Sequence, residues 1–217
     1  MWKLIRVQSL NYLRYLIPLG IFLIFYFREF YQGGKLPVFV FLCFWAFLLV
    51  SGSLTTSESY EEKNNGYEIL GILPVTNKEI VSSKFILVLG TVMLVTGLNI
   101  FLLILRTKSP EKLNMMIMIG LLWGVVCLLY GAQMYIGIFK FGYNRMTKYF
   151  WFFFLIILVL LIFFLGDFIF PGLNINKQAV IKFADSRIWL FLVPAGGVLY
   201  CYLYKIAVRV KETSEEV

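Results

Sequence analysis

The sequence predicts an all-α polytopic membrane protein with about six transmembrane helices and both termini in the cytoplasm. Of its 217 residues, 60% are apolar and 15% are charged, whereas a soluble domain would carry about a quarter charged residues. The charges are clustered, and six long uncharged stretches run between them. An excess of apolar residues this large requires lipid as the solvent. The apolar runs are continuous, which argues against barrel strands with alternating polarity.

Each uncharged stretch predicts one membrane span, since a spanning helix needs roughly 17–25 apolar residues. The first stretch is short, but Arg14 and Arg28 can reach the two interfaces and lengthen it. Residues 1–14 are interpreted either as an interfacial helix or as an extension of the first span. The whole chain, 1–217, is therefore predicted to be a single transmembrane domain. The predicted spans are approximately 14–31, 36–56, 77–105, 113–139, 148–170 and 187–206.

The net charge of +8 is interpreted as a topology signal, not as a nucleic-acid-binding surface. With the N-terminus inside, more of the 20 lysine and arginine residues lie on the inner side than on the outer side. The tight loop from Lys140 to Lys148 and the N-terminal segment both support this orientation. We therefore expect cytoplasmic termini and no nucleic acid partner.

Residues 57–84 form the most informative segment outside the spans. Ser59 followed by Glu62 is a capping-box pattern, which predicts a helix start, and Pro74 ends that helix at about Leu73. Thr76 followed by Glu79 is a second capping box, which predicts that the next helix starts at about Asn77. The segment therefore encodes a short helix, a proline break and a fresh helix start.

The second half of this short predicted helix is apolar. Tyr67, Ile69, Leu70, Ile72 and Leu73 are crowded together next to acidic residues. A solvated connector would not need such a cluster. The helix is therefore expected either to lie on the membrane surface or to dock into another protein.

The sequence lacks the motifs of several kinds of catalytic, metal-binding and nucleotide-binding site. It has no histidine, which excludes HExxH metalloproteolysis, Ser-His hydrolysis and a histidine-ligated haem. The three cysteines have no metal-site spacing. Gly33-Gly34-Lys35 lacks the spacing of a phosphate loop. We expect no enzymatic activity, cofactor or metal in this chain, so energy for work must come from a partner.

Two further features concern packing within the membrane. Gly120 and Gly124 are four residues apart, a spacing that lets two helices approach closely. Polar residues within the spans are expected to hydrogen-bond between packed helices, with a lining role in a pathway as the alternative. These residues are Ser51, Ser53, Thr55, Thr56, Thr91, Thr96, Asn99 and Gln133. The outer segment 167–187 is interpreted as a partly re-entrant cap or an ordinary loop.

Residues 57–84 resemble a segment found in the membrane subunits of bacterial ABC exporters of the type II class. The likeness is greatest to the small permeases of the phenol-soluble modulin exporter group. It is carried by the acidic start, by the step Leu73-Pro74-Val75, and by Lys78-Glu79-Ile80 before the third span. The six-span layout is compatible with the same group along the whole chain.

The resemblance implies a permease subunit in the bacterial plasma membrane that exports amphipathic peptides or other amphipathic compounds. Its partners would be cytoplasmic ATPase subunits carrying ATP and Mg²⁺, a second permease chain, and membrane lipids. The segment between spans two and three would be a coupling helix that docks into the ATPase. The residues that would form or position this contact are Glu61, Glu62, Lys63, Tyr67, Leu70, Leu73 and Pro74. A membrane enzyme acting on lipids and a non-transporting accessory protein are the alternatives.

Overall fold

A computed structural model describes residues 38–63, 75–106, 110–146, 149 and 189–213, and this part of the chain is helical without strands. The predicted interfacial segment 1–14, the first span, the outer segment 167–187 and all of the fifth span except Tyr149 lie outside the described residues. The four long helices are α1 (Val38–Lys63), α2 (Asn77–Arg106), α3 (Pro110–Phe141) and α4 (Trp189–Thr213).

Three of these helices contain stretches long and apolar enough to cross a membrane. The stretches are Asn77–Phe101 in α2, Gly120–Phe141 in α3 and Leu190–Thr213 in α4. At 1.5 Å per residue, each exceeds the hydrocarbon thickness of about 30 Å. The described part therefore has the character of a multi-pass membrane protein, while the total of six spans stays a prediction.

Helices α2 and α3 form the centre of the described bundle, and α1 and α4 each pack against both of them. The register of α2 on α3 is antiparallel, because Thr96 lies at Gly124 and Val88 lies at Gly131. Helix α4 is antiparallel to α2, because Tyr200 lies at Phe85 and Tyr204 lies at Ser82. Helix α1 is also antiparallel to α2, because Glu58 lies at Lys84, while Leu54 and Val88 both lie at Gly131. Consequently α1, α3 and α4 end on the side where α2 begins. We call this side the loop end, since residues 64–76 connect α1 to α2 there.

The core between these helices is rich in aromatic side chains. Phe47 of α1 is buried, and its ring centroid lies 4.8 Å from that of Tyr130 and 6.5 Å from that of Trp123, both in α3. At the loop end, the rings of Tyr135 and Phe139 stack with centroids 5.9 Å apart. Burial of such large rings supplies much of the contact area that holds helices together.

The start of α2 confirms the capping box predicted at Thr76. The Glu79 amide N–H donates to Thr76 Oγ1 at 3.3 Å, and the Thr76 amide N–H donates to Glu79 Oε2 at 3.1 Å. These reciprocal bonds satisfy two backbone donors that have no partner within the helix. The helix begins at Asn77, where the sequence pattern places it.

The helix start predicted at Ser59 is wrong, because α1 continues without interruption to Lys63. A capping residue needs a non-helical backbone, whereas Ser59 lies inside the helix. The nearby acidic residues Glu58 and Glu61 have a different role, since both pair with a lysine of α2. The predicted break at Pro74 lies outside the described residues.

Four of the eight polar residues expected to bond between helices instead bond to their own helix, namely Ser51, Ser53, Thr55 and Thr91. Thr91 Oγ1 donates to the Leu87 carbonyl at 2.8 Å, and Ser53 Oγ donates to the Val50 carbonyl at 2.8 Å. Ser51 and Thr55 do the same within α1. A serine or threonine hydroxyl reaches the carbonyl three or four residues back, so no neighbouring helix is needed.

Candidate functional site

The structure describes only some of the residues predicted to contact an ATPase. Glu61 is nine-tenths buried, and Lys63 is exposed at the end of α1. Glu62 belongs to α1, but its side chain lies outside the described set. The remaining four residues lie outside the described residues altogether, namely Tyr67, Leu70, Leu73 and Pro74.

A buried ionic cluster joins α1 to α2 at the loop end. The ammonium group of Lys84 lies 2.5 Å from Glu58 Oε1 and 2.6 Å from Glu61 Oε1, and the side chains of Lys84 and Glu58 are fully buried. Glu58 and Glu61 are three residues apart, so both point from the same face of α1. We call Glu58, Glu61 and Lys84 the Lys84 cluster.

The cluster lies within the helices and not at their ends. Lys84 follows Asn77, the first residue of α2, by two helical turns, and Glu58 precedes Lys63, the last residue of α1, by more than one turn. Both helices therefore extend about 7–10 Å beyond the ion pairs at a rise of 1.5 Å per residue. The connecting segment is thus anchored on both sides by projecting helix ends.

Taking these charges out of water is unfavourable in isolation. A buried charge is tolerated only when partners of opposite charge and hydrogen bonds compensate for lost hydration. Removing one member of a buried ion pair costs about 3–5 kcal/mol, because the remaining charge is left uncompensated. The cluster therefore holds α1 and α2 in one specific register.

Aromatic residues extend the cluster into α3. The ammonium group of Lys84 lies 5.7 Å from the ring centroid of Tyr135, a residue with no exposed surface. This distance is within the range of a cation–π interaction, which is strengthened when the cation is desolvated. The ring of Phe85, next to Lys84, also packs against Tyr135 with centroids 6.3 Å apart.

Two tyrosines connect the same region to α4. The Tyr200 hydroxyl donates to the Phe85 carbonyl at 2.6 Å, and the Tyr204 hydroxyl and Ser82 Oγ are hydrogen-bonded at 2.8 Å. The carbonyl of Phe85 belongs to the turn that carries Lys84. All four described helices therefore meet around one turn of α2.

The glycine pair predicted for helix packing lies on the face of α3 toward α2. A Cβ atom at Gly124 would lie 2.7 Å from Thr96 Oγ1, which is closer than side chains approach. At Gly120 the nearest atom would be Ile100 Cγ1 at 3.6 Å, an ordinary contact. Gly124 is thus a position where α2 and α3 require the absence of a side chain, and Gly131 is another, since its Cβ atom would lie 2.6 Å from Val88 Cγ1.

Sequence reasoning missed the Lys84 cluster, because it treated Lys84 as a charge that marks the boundary of a span. A signal was nevertheless present. Glu58 and Glu61 share one helix face just after an apolar stretch, and Lys84 lies just before the next one. In an antiparallel helix pair, the end of the first helix lies beside the start of the second. The two glutamates and the lysine therefore fall at the same depth in the membrane.

The Lys84 cluster is a mechanical connection between helices. No group of metal-ligating side chains occurs among the described residues. The cluster instead joins both ends of a connecting segment to a packed bundle. A displacement of that segment would have to move α1 and α2 together, or break the ion pairs.

Comparison with known proteins identifies a family. The model of a family described as ABC-2 family transporter protein matches residues 3–211, which is nearly the whole chain. No curated protein matches the chain. No solved structure matches it either.

Proposed function

The chain belongs to the ABC-2 transporter family, and we propose that it exports amphipathic peptides or other amphipathic compounds, with coupling through the Lys84 cluster. Membership makes the chain a permease subunit of an ABC transporter, a multi-pass protein that in bacteria lies in the plasma membrane. Its partner is an ABC ATPase subunit. ATP and Mg²⁺ are assigned to that subunit.

The observation that carries the coupling proposal is the double anchoring of the connecting segment. Lys84 binds Glu58 and Glu61, so α1 and α2 are joined close to where they leave the bundle. Residues 64–74 lie between these anchors and carry the apolar cluster with Leu70 and Leu73. We infer that this segment docks into the ATPase and that Glu61 positions it by pairing with Lys84.

The proposed substrate class rests on the chemistry of the helices and on the exporter resemblance. The membrane stretches carry no carboxylate near their centres. They therefore lack the acidic binding site that a cationic substrate in ion-coupled transport would use. Phenylalanine, leucine and small hydroxyl residues suit a cargo with one apolar face. A second permease chain is part of the proposal, since one unit of this size is small for a complete pathway.

The coupling proposal is tested with Leu70→Asp and Leu73→Asp in the full complex of permease and ATPase. A charge in an apolar docking cluster costs about 2 kcal/mol or more, as at other interface anchors. We therefore expect co-purification of the ATPase to fall by more than about tenfold. ATP-dependent transport of an amphipathic peptide into inverted vesicles should fall with it.

Asn65→Asp is the matched control, because it adds the same charge to the same segment without removing an apolar side chain. It should leave assembly and transport near the values of the unmodified protein. Full assembly and transport with folded Leu70→Asp and Leu73→Asp proteins would show that the segment does not dock.

A further inference from the structure

A cleft of about 900 Å³ opens at the end of α3, next to the loop end. Its floor consists of buried residues, including Tyr130, Met134 and Met146. Its rim consists of exposed residues: Gln133, Phe141, Arg145 and Tyr149. The cleft therefore combines an apolar interior with a polar and cationic edge.

The local fold builds this cleft by turning the chain at Gly142. Gly142 has a φ of 80°, a conformation that favours glycine, and its N–H donates to the Ile138 carbonyl at 2.9 Å. The chain then makes one more helical turn, in which the Met146 N–H donates to the Gly142 carbonyl at 3.2 Å. This turn lays Met146 against Gly137 and places Arg145 at the edge of the cleft.

The charge at the cleft is positive and not compensated by described residues. Arg145 lines the cleft, and Lys140 precedes it by five residues, with its ammonium group 5.2 Å from the ring centroid of Phe141. Between residues 112 and 166 the sequence contains no aspartate or glutamate. Among the described residues no carboxylate forms an ion pair with Arg145. Such an edge is complementary to a phosphate.

We propose that this cleft binds an anionic phospholipid from the leaflet at the loop end. The phosphate would lie at Arg145 and Tyr149, and an acyl chain would lie along Met134 and Met146. Basic pockets of membrane helices on the cytoplasmic side bind anionic headgroups in this way. The assignment of that leaflet to the cytoplasmic side rests on the proposed function, which places the ATPase at the loop end.

The cleft also adjoins the Lys84 cluster through α3. Tyr130 lines the cleft, and Tyr135, one to two turns further along the same helix, faces Lys84. A lipid held in the cleft would therefore stabilise the helix against which the cluster packs. Anionic lipid would support the folded register of the loop end without entering the transport pathway.

The test measures lipid retained by the purified full-length chain, without ATPase or ATP. The protein is reconstituted in nanodiscs that contain phosphatidylcholine and phosphatidylglycerol, released, and analysed by native mass spectrometry. We expect phosphatidylglycerol to be enriched over phosphatidylcholine on the unmodified protein. Arg145→Gln should lower this enrichment roughly fivefold, since one basic residue near a charged membrane contributes about that factor.

Arg209→Gln is the matched control, because Arg209 is an exposed arginine near the same end of the bundle, in α4. It should leave the enrichment unchanged, and Arg145→Lys should retain part of it. Equal loss in Arg145→Gln and Arg209→Gln would overturn the proposal, since it would show only a diffuse surface charge. Arg145-dependent binding of an anionic amphipathic peptide, without enrichment of phosphatidylglycerol, would also overturn it and assign the cleft to a substrate.

Since no ATPase is present, failure of this test leaves the docking proposal unaffected. Conversely, loss of docking in Leu70→Asp would not alter lipid enrichment. The two proposals can therefore fail independently.

Discussion

At the scale of single residues, Lys84 shows how a charged side chain can be kept inside a membrane bundle. A lysine near the end of a span usually extends its ammonium group to the interface. Lys84 instead remains fully buried between Glu58 and Glu61. Its charge is matched by carboxylates from the neighbouring helix.

Lys84→Met is expected to lower the free energy of unfolding by about 3–5 kcal/mol, because two carboxylates are left buried without a cation. Unfolding in detergent micelles, followed by circular dichroism, measures this loss. Lys78→Met is the matched control, since Lys78 is an exposed lysine on the same helix. Its free energy of unfolding should stay within about 0.5 kcal/mol of the unmodified protein. A similar, small effect of both substitutions would mean that loss of the lysine does not leave Glu58 and Glu61 buried without compensation.

At the scale of helices, close approach depends on glycines at particular contacts. A Cβ atom at Gly196 of α4 would clash with Val125 Cγ1 of α3, whereas a Cβ atom at Gly197 would meet nothing within 4 Å. Valine is β-branched and has one preferred rotamer in a helix, so it cannot easily move aside. Of these two adjacent glycines, Gly196 therefore has no room for a side chain, whereas Gly197 has open space around it.

Gly196→Ala is expected to destabilise the protein by about 1–3 kcal/mol, the usual cost of overpacking a contact. Gly197→Ala should instead be neutral or stabilising by up to about 1 kcal/mol, because alanine favours the helix over glycine. Detergent unfolding of the two variants gives the comparison directly. If Gly196→Ala is as stable as Gly197→Ala, then α3 and α4 do not approach closely at Val125.

At the scale of the whole molecule, the Lys84 cluster links the connecting segment to the bundle. Residues 58, 61 and 84 belong to α1 and α2, Tyr135 to α3, and Tyr200 and Tyr204 to α4. Movement of the segment between α1 and α2 would therefore be transmitted to every described helix. Removal of all three charges together separates the role of the cluster in folding stability from its role in coupling ATP hydrolysis to transport.

The triple variant Glu58→Gln, Glu61→Gln, Lys84→Met should fold with nearly unchanged stability, since replacing a whole buried ionic group by neutral residues is often neutral. Reconstituted with its ATPase, it should hydrolyse ATP but transport at least about fivefold less substrate per ATP, a typical size for coupling between sites. Parallel measurements of phosphate release and substrate uptake give this ratio, with Lys78→Met as the control. An unchanged ratio in the triple variant would show that force does not pass through the cluster.

Sequence patterns predicted local features best where the interactions are local. The capping box at Thr76 joins residues three apart, and the structure contains both of its hydrogen bonds. The similar pattern at Ser59 failed, because the same residue types also occur inside helices. What distinguishes the two positions is the backbone, because Thr76 lies just before α2, whereas Ser59 lies inside α1. The nearby Glu58 and Glu61 pair with Lys84, which is 26 and 23 residues away along the chain.

The sequence by itself determined that this chain is a multi-pass helical membrane protein, because hydrocarbon requires long apolar helices with satisfied backbone groups. It also indicated the start of α2 and the apolar character of residues 67–73. Only the tertiary structure decided that Lys84 is buried and paired, that Gly196 is a contact and Gly197 is not, and that a cationic cleft lies beside α3. These features depend on which helix faces meet and in what register, and contacts between helices set both.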